Sequence, residues 1–197
     1  LGHTLRHVMT AYTTSEIVEG DFEMDSTEIG GSVRKANEKA DRARQPRRNM
    51  DKVTKLSVMR ERRPGGRVVP FLGGESELAA VIRQHVDIEA RPFVDEHHAW
   101  NALFAIFPEV RQIKHKERYS DLRGTSTNLA ESYFSRLKQM YNGAYRAWSR
   151  RYSHVYNGEG CWREHHRRQP NGDKMVNALA GVLHHPPTPM RGYYQRT

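Results

Sequence analysis

The sequence predicts an α/β (α+β) chain in which a mixed five-stranded sheet is flanked by helices. Two observations carry that prediction. Segments of strand character come first and then alternate with segments of helical periodicity, in the order β-β-β-α-β-α-β-α. The chain has 197 residues, 37% of them apolar, enough to bury one core of ordinary domain size.

Leu5, Val8, Met9 and Tyr12 recur at helical spacing, so the chain opens on the end of a helix. Ile17 to Asp25 reads as the first strand, with Phe22 and Met24 on one side and Asp21, Glu23 and Asp25 on the other, and Gly30-Gly31 breaks it. Ala36 to Asn49 is polar and basic without apolar periodicity, hence a long loop. Val53–Met59 and Arg67–Leu72 flank Pro64-Gly65-Gly66, a hairpin signal. Leu78, Ala79, Val81, Ile82 and Val86 make Glu75–Val86 an amphipathic helix. Arg91–Asp95 is a short buried strand ending on its acid, His98–Phe107 a helix stopped by Pro108, and Val110–His115 the fifth strand.

Thr125-Ser126-Thr127-Asn128 offers N-caps for a helix from Leu129 to Tyr141. Its apolar residues Ala130, Tyr133, Phe134, Leu137 and Met140 line one face and leave Glu131, Ser135 and Lys138 together on another. Further helix runs through Arg167, and the tail with Pro186, Pro187 and Pro189 is expected to be irregular. A three-strand meander followed by alternating α and β units resembles the ribonuclease H-like architecture, which by itself specifies no chemistry.

No apolar run approaches the roughly 20 residues of a membrane span, and no signal peptide opens the chain, so a membrane protein or membrane partner is excluded. A single cysteine, Cys161, excludes an internal disulfide and a cysteine-based zinc site, and makes the cytoplasm the default compartment.

The net charge of +9 is localised. Thirteen Lys/Arg against four acids lie between Ser32 and Arg67, among them Arg34, Lys35, Arg42, Arg44, Arg47 and Arg48. A second basic stretch runs from Arg136 to Arg168 through Lys138, Arg146, Arg150 and Arg151, interleaved with Tyr141, Tyr145, Trp148, Tyr152, Tyr156 and Trp162. Clustered Lys/Arg read either as a phosphate-binding surface for nucleic acid or as a solvated loop plus an amphipathic helix with core aromatics.

Three carboxylates stand in telling places. Asp25 ends the first predicted strand, Asp95 the fourth, and Glu131 sits in the first turn of the helix after the fifth. In a ribonuclease H-like sheet the first and fourth strands are neighbours, so the two aspartates project side by side and the later helix lays Glu131 across them. Hard carboxylate ligands suit Mg²⁺ or Mn²⁺, and two such ions clamp both oxygens of an in-line phosphodiester displacement. Lys138, two turns beyond Glu131 on the same face, can neutralise the phosphate. Against this, 23 acids in one chain generate such triplets by chance, and acids at strand ends and in first turns also serve as caps.

The motif text resembles bacterial insertion-sequence transposases of the DDE type, in the ISXO-type branch. Phe22-Glu23-Met24-Asp25-Ser26-Thr27-Glu28-Ile29-Gly30-Gly31 is similar to that family's first-aspartate strand and Pro92-Phe93-Val94-Asp95-Glu96 to its second. Thr127-Asn128-Leu129-Ala130-Glu131-Ser132-Tyr133-Phe134-Ser135-Arg136-Leu137-Lys138 resembles its glutamate helix. Tyr156-Asn157-Gly158-Glu159-Gly160-Cys161-Trp162-Arg163-Glu164, Arg167-Arg168 and Asn171-Gly172 resemble its C-terminal stretch. Ser26 and Glu28 replace the usual Glu and Tyr, and Tyr145-Arg146 stands where a His pair is common.

The resemblance implies that Asp25, Asp95 and Glu131 are a triad holding two Mg²⁺ or Mn²⁺ ions, with Lys138 the basic fourth member. It also implies DNA, as transposon ends and as target, for the partner, a nucleoid-associated cytoplasmic setting, and a homo-oligomer on DNA. His115 sits where the family tends to carry a histidine, and packing at a strand end accounts for it equally well. Three units are expected: 1–15, the end of a helix-turn-helix-like module that in the family follows a zinc ribbon; 16–168, the catalytic domain with a basic flexible loop at 32–55; and 169–197, a tail. The implied activity is metal-dependent cleavage of transposon ends followed by strand transfer. A catalytically inactive, transposase-derived DNA-binding protein and a ribonuclease H-like nuclease are the alternatives.

Overall fold

In the computed structural model, which describes residues 2–15, 17–42, 46, 48–113 and 126–184, the strands form one mixed sheet in the order β3-β2-β1-β4-β5. The most acidic strand, β1 (Asp21–Gly30), is at its centre. Strand β2 (Val53–Glu61) pairs antiparallel with β1 from Gly30↔Val53 to Phe22↔Glu61, and β3 (Val68–Leu72) returns through the Pro64-Gly65-Gly66 turn, where Gly65 takes φ 71°. Strands β4 (Arg91–Val94) and β5 (Arg111–Gln112) add in parallel on the other side. This is the predicted α/β architecture, with the first and fourth strands adjacent.

Helices cover both faces. Phe22 and Met24 of β1 join Met59, Val69 and Val94 against helix α3 (Glu75–Val81) and a 3₁₀ segment, His98–Ala105, that buries Trp100 and Leu103. On the opposite face Ile29, Leu56, Val58 and Val68 pack on Ala130, Tyr133, Phe134 and Leu137 of helix α4 (Asn128–Gln139) and on Cys161 of helix α5 (Ser153–His165). Helix α1 (Gly2–Thr14) lies on α5, and helix α6 (Asn171–His184) lies on α1. A four-residue helix α2 (Lys39–Arg42) interrupts the basic segment predicted as loop.

Several boundaries differ from the sequence reading for physical reasons. The first strand runs to Gly30 rather than stopping at Asp25, so Asp25 stands mid-strand. A central strand is covered on both sides, and of its odd-numbered acids Glu23 is fully buried while Asp21 and Asp25 are partly exposed. The predicted Glu75–Val86 helix ends at Val81, a 3₁₀ turn follows over Ile82–Gln84, and Val86 bridges to Val18. The helix after the fourth strand is 3₁₀, and the fifth strand keeps only Arg111–Gln112 of the predicted span. Helix α4 gives way to a π turn at Met140–Ala144, and Arg146 and Ala147 then take φ 47° and 91° before α5 begins. The tail expected to be irregular carries α6, and its prolines lie outside the described residues.

Two glycines let α5 sit between its neighbours. A Cβ on Gly158 would come within 2.1 Å of Thr10 Oγ1 on α1, and one on Gly160 within 2.9 Å of the Tyr133 hydroxyl on α4. Between them and the sheet, buried Asn157 accepts from Tyr133 Oη at 2.6 Å and donates to the Phe71 carbonyl at 3.2 Å.

Candidate active site

The β1–β4 register pairs Glu23 with Phe93, and two residues further along it Asp25 comes beside Asp95, directly past the end of β4. Asp95 is held from two directions. Its Oδ1 accepts the His97 backbone N–H at 3.1 Å and the indole N–H of fully buried Trp100 at 2.7 Å. Asp25 Oδ1 accepts the N–H of Ser26 at 2.7 Å.

Glu131 comes within electrostatic reach of Asp25 on a helix start with an unexpected cap. Thr127, one of the N-caps the sequence offers, does not accept from the helix N-terminus, and its hydroxyl donates instead to Glu131 Oε1 at 3.2 Å. The N-terminal N–H groups of α4 are taken by Glu23 Oε2 from across the sheet, at 2.7 Å from Leu129 and 3.0 Å from Ala130. The Glu23 carboxyl, two residues before Asp25, therefore fixes the turn that presents Glu131. Burial pushes the Glu23 pKa up, against the pull of the Ala130 N–H and Arg62.

The electrostatics mark Asp25 out. Burial first, and then the charges of Asp95, Glu131 and Glu75, push its pKa up to about 7 against the pull of the Ser26 N–H. Glu75 is a carboxylate that sequence reasoning missed. It occupies the first turn of α3, where the Ser26 hydroxyl donates to it. Although burial pushes it up, that bond, its own backbone N–H, His97 and Lys55 hold Glu75 below the usual carboxylate range. The Gly73-Gly74-Glu75-Ser76-Glu77 text was its available signal, since Glu77 returns to cap the Gly74 N–H at 3.0 Å.

The donor chemistry suits a hard divalent cation, because every candidate ligand is a carboxylate oxygen and one oxygen each of Asp25 and Asp95 is already oriented by the protein. The acids share an electrostatic neighbourhood without closing into a cage. Among the described residues no group of three or more His, Cys, Asp or Glu is placed to hold an ion.

The expected basic residues divide into sets. Lys138 on α4 and Arg48 line a cavity of about 330 Å³ with Glu28, Gly30, Gly31 and Tyr141. Arg48 donates to Glu28 Oε2 at 2.6 Å and to the Gly30 carbonyl at 3.1 Å. Arg34, Lys35 and Arg42, and likewise Arg146, Arg150 and Arg151, stand exposed. Arg136 turns away from Lys138 and grips Glu164 at 2.8 and 2.9 Å. Arg44, Arg47 and His115 lie outside the described residues. The aromatics between the later arginines pack largely on one another: Trp148 stacks on Tyr156 at 4.6 Å, and Arg6 lies 4.4 Å over the Tyr156 ring.

Compared with known families, residues 17–165 match the ISXO2-like transposase domain. No curated protein and no solved structure matches the chain.

Proposed function

The chain belongs to the ISXO2-like transposase family, and from that premise we propose that it is a DDE-type catalytic core that cleaves insertion-sequence ends and joins them to target DNA. The observation that carries the reading is that Asp95 and Glu131 lie within electrostatic reach of the half-buried carboxyl of Asp25. Asp25, Asp95 and Glu131 would hold two Mg²⁺ or Mn²⁺ ions. When bound, such ions lower the pKa of a water or hydroxyl nucleophile and offset charge on both oxygens of an in-line phosphoryl substitution.

The chain's own residues supply placement. Trp100 holds the Asp95 carboxylate by one oxygen, and Glu23 holds the helix turn that carries Glu131. Asp25, with its pKa raised to about 7, would have to give up its proton to serve as a cation ligand below that pH. Lys138, exposed two turns along α4 from Glu131, takes a backbone phosphate, with the exposed arginines extending the contact along the duplex. Joining two ends at one target calls for a homo-oligomer on DNA. Among the described residues no helix is long and apolar enough to cross a membrane.

A second reading, a transposase-derived DNA-binding protein without catalysis, is favoured by one observation: no three described acids are drawn to ligand distance. A plasmid joining assay with pre-cleaved insertion-sequence ends, run with Mg²⁺ or EDTA on wild type and Glu131→Gln, separates the two. Joining that needs the metal and is lost in the variant supports the enzyme. Salt-sensitive duplex binding with no joining supports the remnant.

A further inference from the structure

A second charged site lies on the same sheet face, toward the start of β1. In the β1–β2 register Val58 stands beside Asp25 and Arg60 beside Glu23, so the sheet turns from acidic to basic within two residues. Beyond Arg60, the β2–β3 turn and the turn after α5 enclose a notch of about 180 Å³ that also touches Leu129 at the start of α4. Five arginines line it, Arg60, Arg62, Arg63, Arg167 and Arg168, against two carboxylates, Glu61 and Glu164.

Both carboxylates are shared among several cations. Glu164, almost fully buried, takes Arg60 at 2.8 Å, Arg136 at 2.8 Å and Arg167 at 3.7 Å. Glu61, also buried, takes Arg63 at 2.7 Å and Arg67 at 3.5 Å, besides the backbone N–H groups of Glu19 and Arg67. Arg60 is held in place by the Leu129 carbonyl at 2.7 Å, and Arg62 lies over the Phe93 ring at 4.1 Å. Arg60, Arg62 and Arg63 are therefore held in place, Arg62 also by Glu23 at 3.7 Å, and with Arg167 and Arg168 on the exposed rim the lining cations outnumber these acids. Burial, together with Arg136 and Arg167, lowers the Arg60 pKa in spite of Glu164. An excess of guanidinium groups around one notch matches a tetrahedral oxyanion, which takes several charge-assisted N–H bonds at once.

We propose that this notch binds a phosphate group at a site separate from the acid cluster, and, resting on the transposase reading, that the group is a backbone phosphate of the bound DNA. The acid cluster and the notch then grip one duplex at two points on the same face of the sheet, with the α4 N-terminus between them.

The test uses the full chain and two variants on exposed side chains: Arg167→Gln/Arg168→Gln, which leaves Arg60 and Arg136 on Glu164, and Arg63→Gln. Thermal midpoints are measured with inorganic phosphate against chloride at constant ionic strength. Phosphate is expected to raise the wild-type midpoint and to lose most of that effect in both variants. Glu131→Gln serves as the control that is blind to this site: it should keep the phosphate effect even if the joining reading fails. In parallel, duplex affinity is followed against salt. If DNA supplies the phosphate, the slope of log affinity against log salt falls by about 0.9 in the Arg167/Arg168 variant, the loss of one contact. A phosphate effect with an unchanged slope assigns the site to free phosphate instead. No phosphate effect in wild type, or one equal in all three proteins, overturns the proposal.

Discussion

Glu23 Oε2 accepts the backbone N–H of Leu129 at 2.7 Å, so a side chain buried in the central strand caps a helix 106 residues later in the chain. That bond, with its twin to Ala130, is the mechanical link between Asp25, two residues after Glu23, and Glu131, two residues after Leu129. A helix N-terminus presents unpaired N–H groups and partial positive charge, and a desolvated carboxylate is a strong partner for both.

Removing that carboxylate should loosen the site before it unfolds the domain. Glu23→Ala strands two buried N–H groups and is expected to cost about 2–4 kcal/mol. Metal-dependent joining should fall further than the folded fraction does. Glu23→Gln keeps an acceptor without the buried charge and should restore both stability, to within about 1 kcal/mol, and joining. Urea unfolding alongside the joining assay reads the two effects separately. Equal loss of joining in both variants would show that the carboxylate does more than hold α4.

Asp25 sets a pH dependence with a definite sign. Its folded pKa, about 7, lies above the unfolded value of 3.8, so the native state holds the proton more tightly. In the absence of divalent cations this group subtracts stability progressively from about pH 4 to about pH 7, and not below that window. Asp25→Asn removes the charge and should match wild type at pH 4, then gain on it with rising pH, by up to about 4 kcal/mol at pH 8. Denaturant midpoints at three pH values check this. A gain that is the same at every pH would mean Asp25 ionises as freely folded as unfolded.

The same coupling predicts a cation effect that is independent of turnover. Mg²⁺ or Mn²⁺ bound only by the native state raises the wild-type thermal midpoint at pH 8. The rise should shrink below about pH 6, as protonated Asp25 competes with the ion, and should be lost in Glu131→Gln. A rise of the same size in that variant would place the ion elsewhere.

Much of this site was legible in the sequence, for reasons that also explain what was not. The adjacency of the first and fourth strands, and with it the placing of Asp25 beside Asp95, followed from the likeness of the element order to a ribonuclease H-like sheet. The exposed positions of Glu131 and Lys138 on α4 followed from its 3.6-residue period. The burial of Glu23 was not legible, because alternation of acid and apolar residues looks the same on a half-exposed strand as on a covered one. The Ser26–Glu75 and Arg60–Glu164 contacts span 49 and 104 residues, which no local pattern encodes.

The packing of α1 onto α5 yields a further prediction in which two opposing effects can be weighed. Gly158 lies inside α5, where alanine would ordinarily gain about 0.5–1 kcal/mol by reducing backbone freedom in the unfolded chain. Here the added Cβ would meet Thr10 Oγ1 at 2.1 Å and the Thr10 Cα at 2.8 Å, so α1 itself, not only a side-chain tip, must move. Overpacking of this kind costs about 1–3 kcal/mol or more, and displacing α1 also strains the Arg6–Glu159 bond at 2.8 Å and the stacking of Arg6 on Tyr156. The clash therefore wins, and Gly158→Ala should be net destabilised by about 2 kcal/mol, a midpoint lower by about 4–8 °C for a chain of this size. Gly172, in the first turn of α6, has nothing within 4 Å of an added Cβ, so Gly172→Ala should leave the midpoint unchanged or raise it. If Gly158→Ala instead matched or exceeded Gly172→Ala in thermal stability, the close seating of α1 on α5 would be wrong.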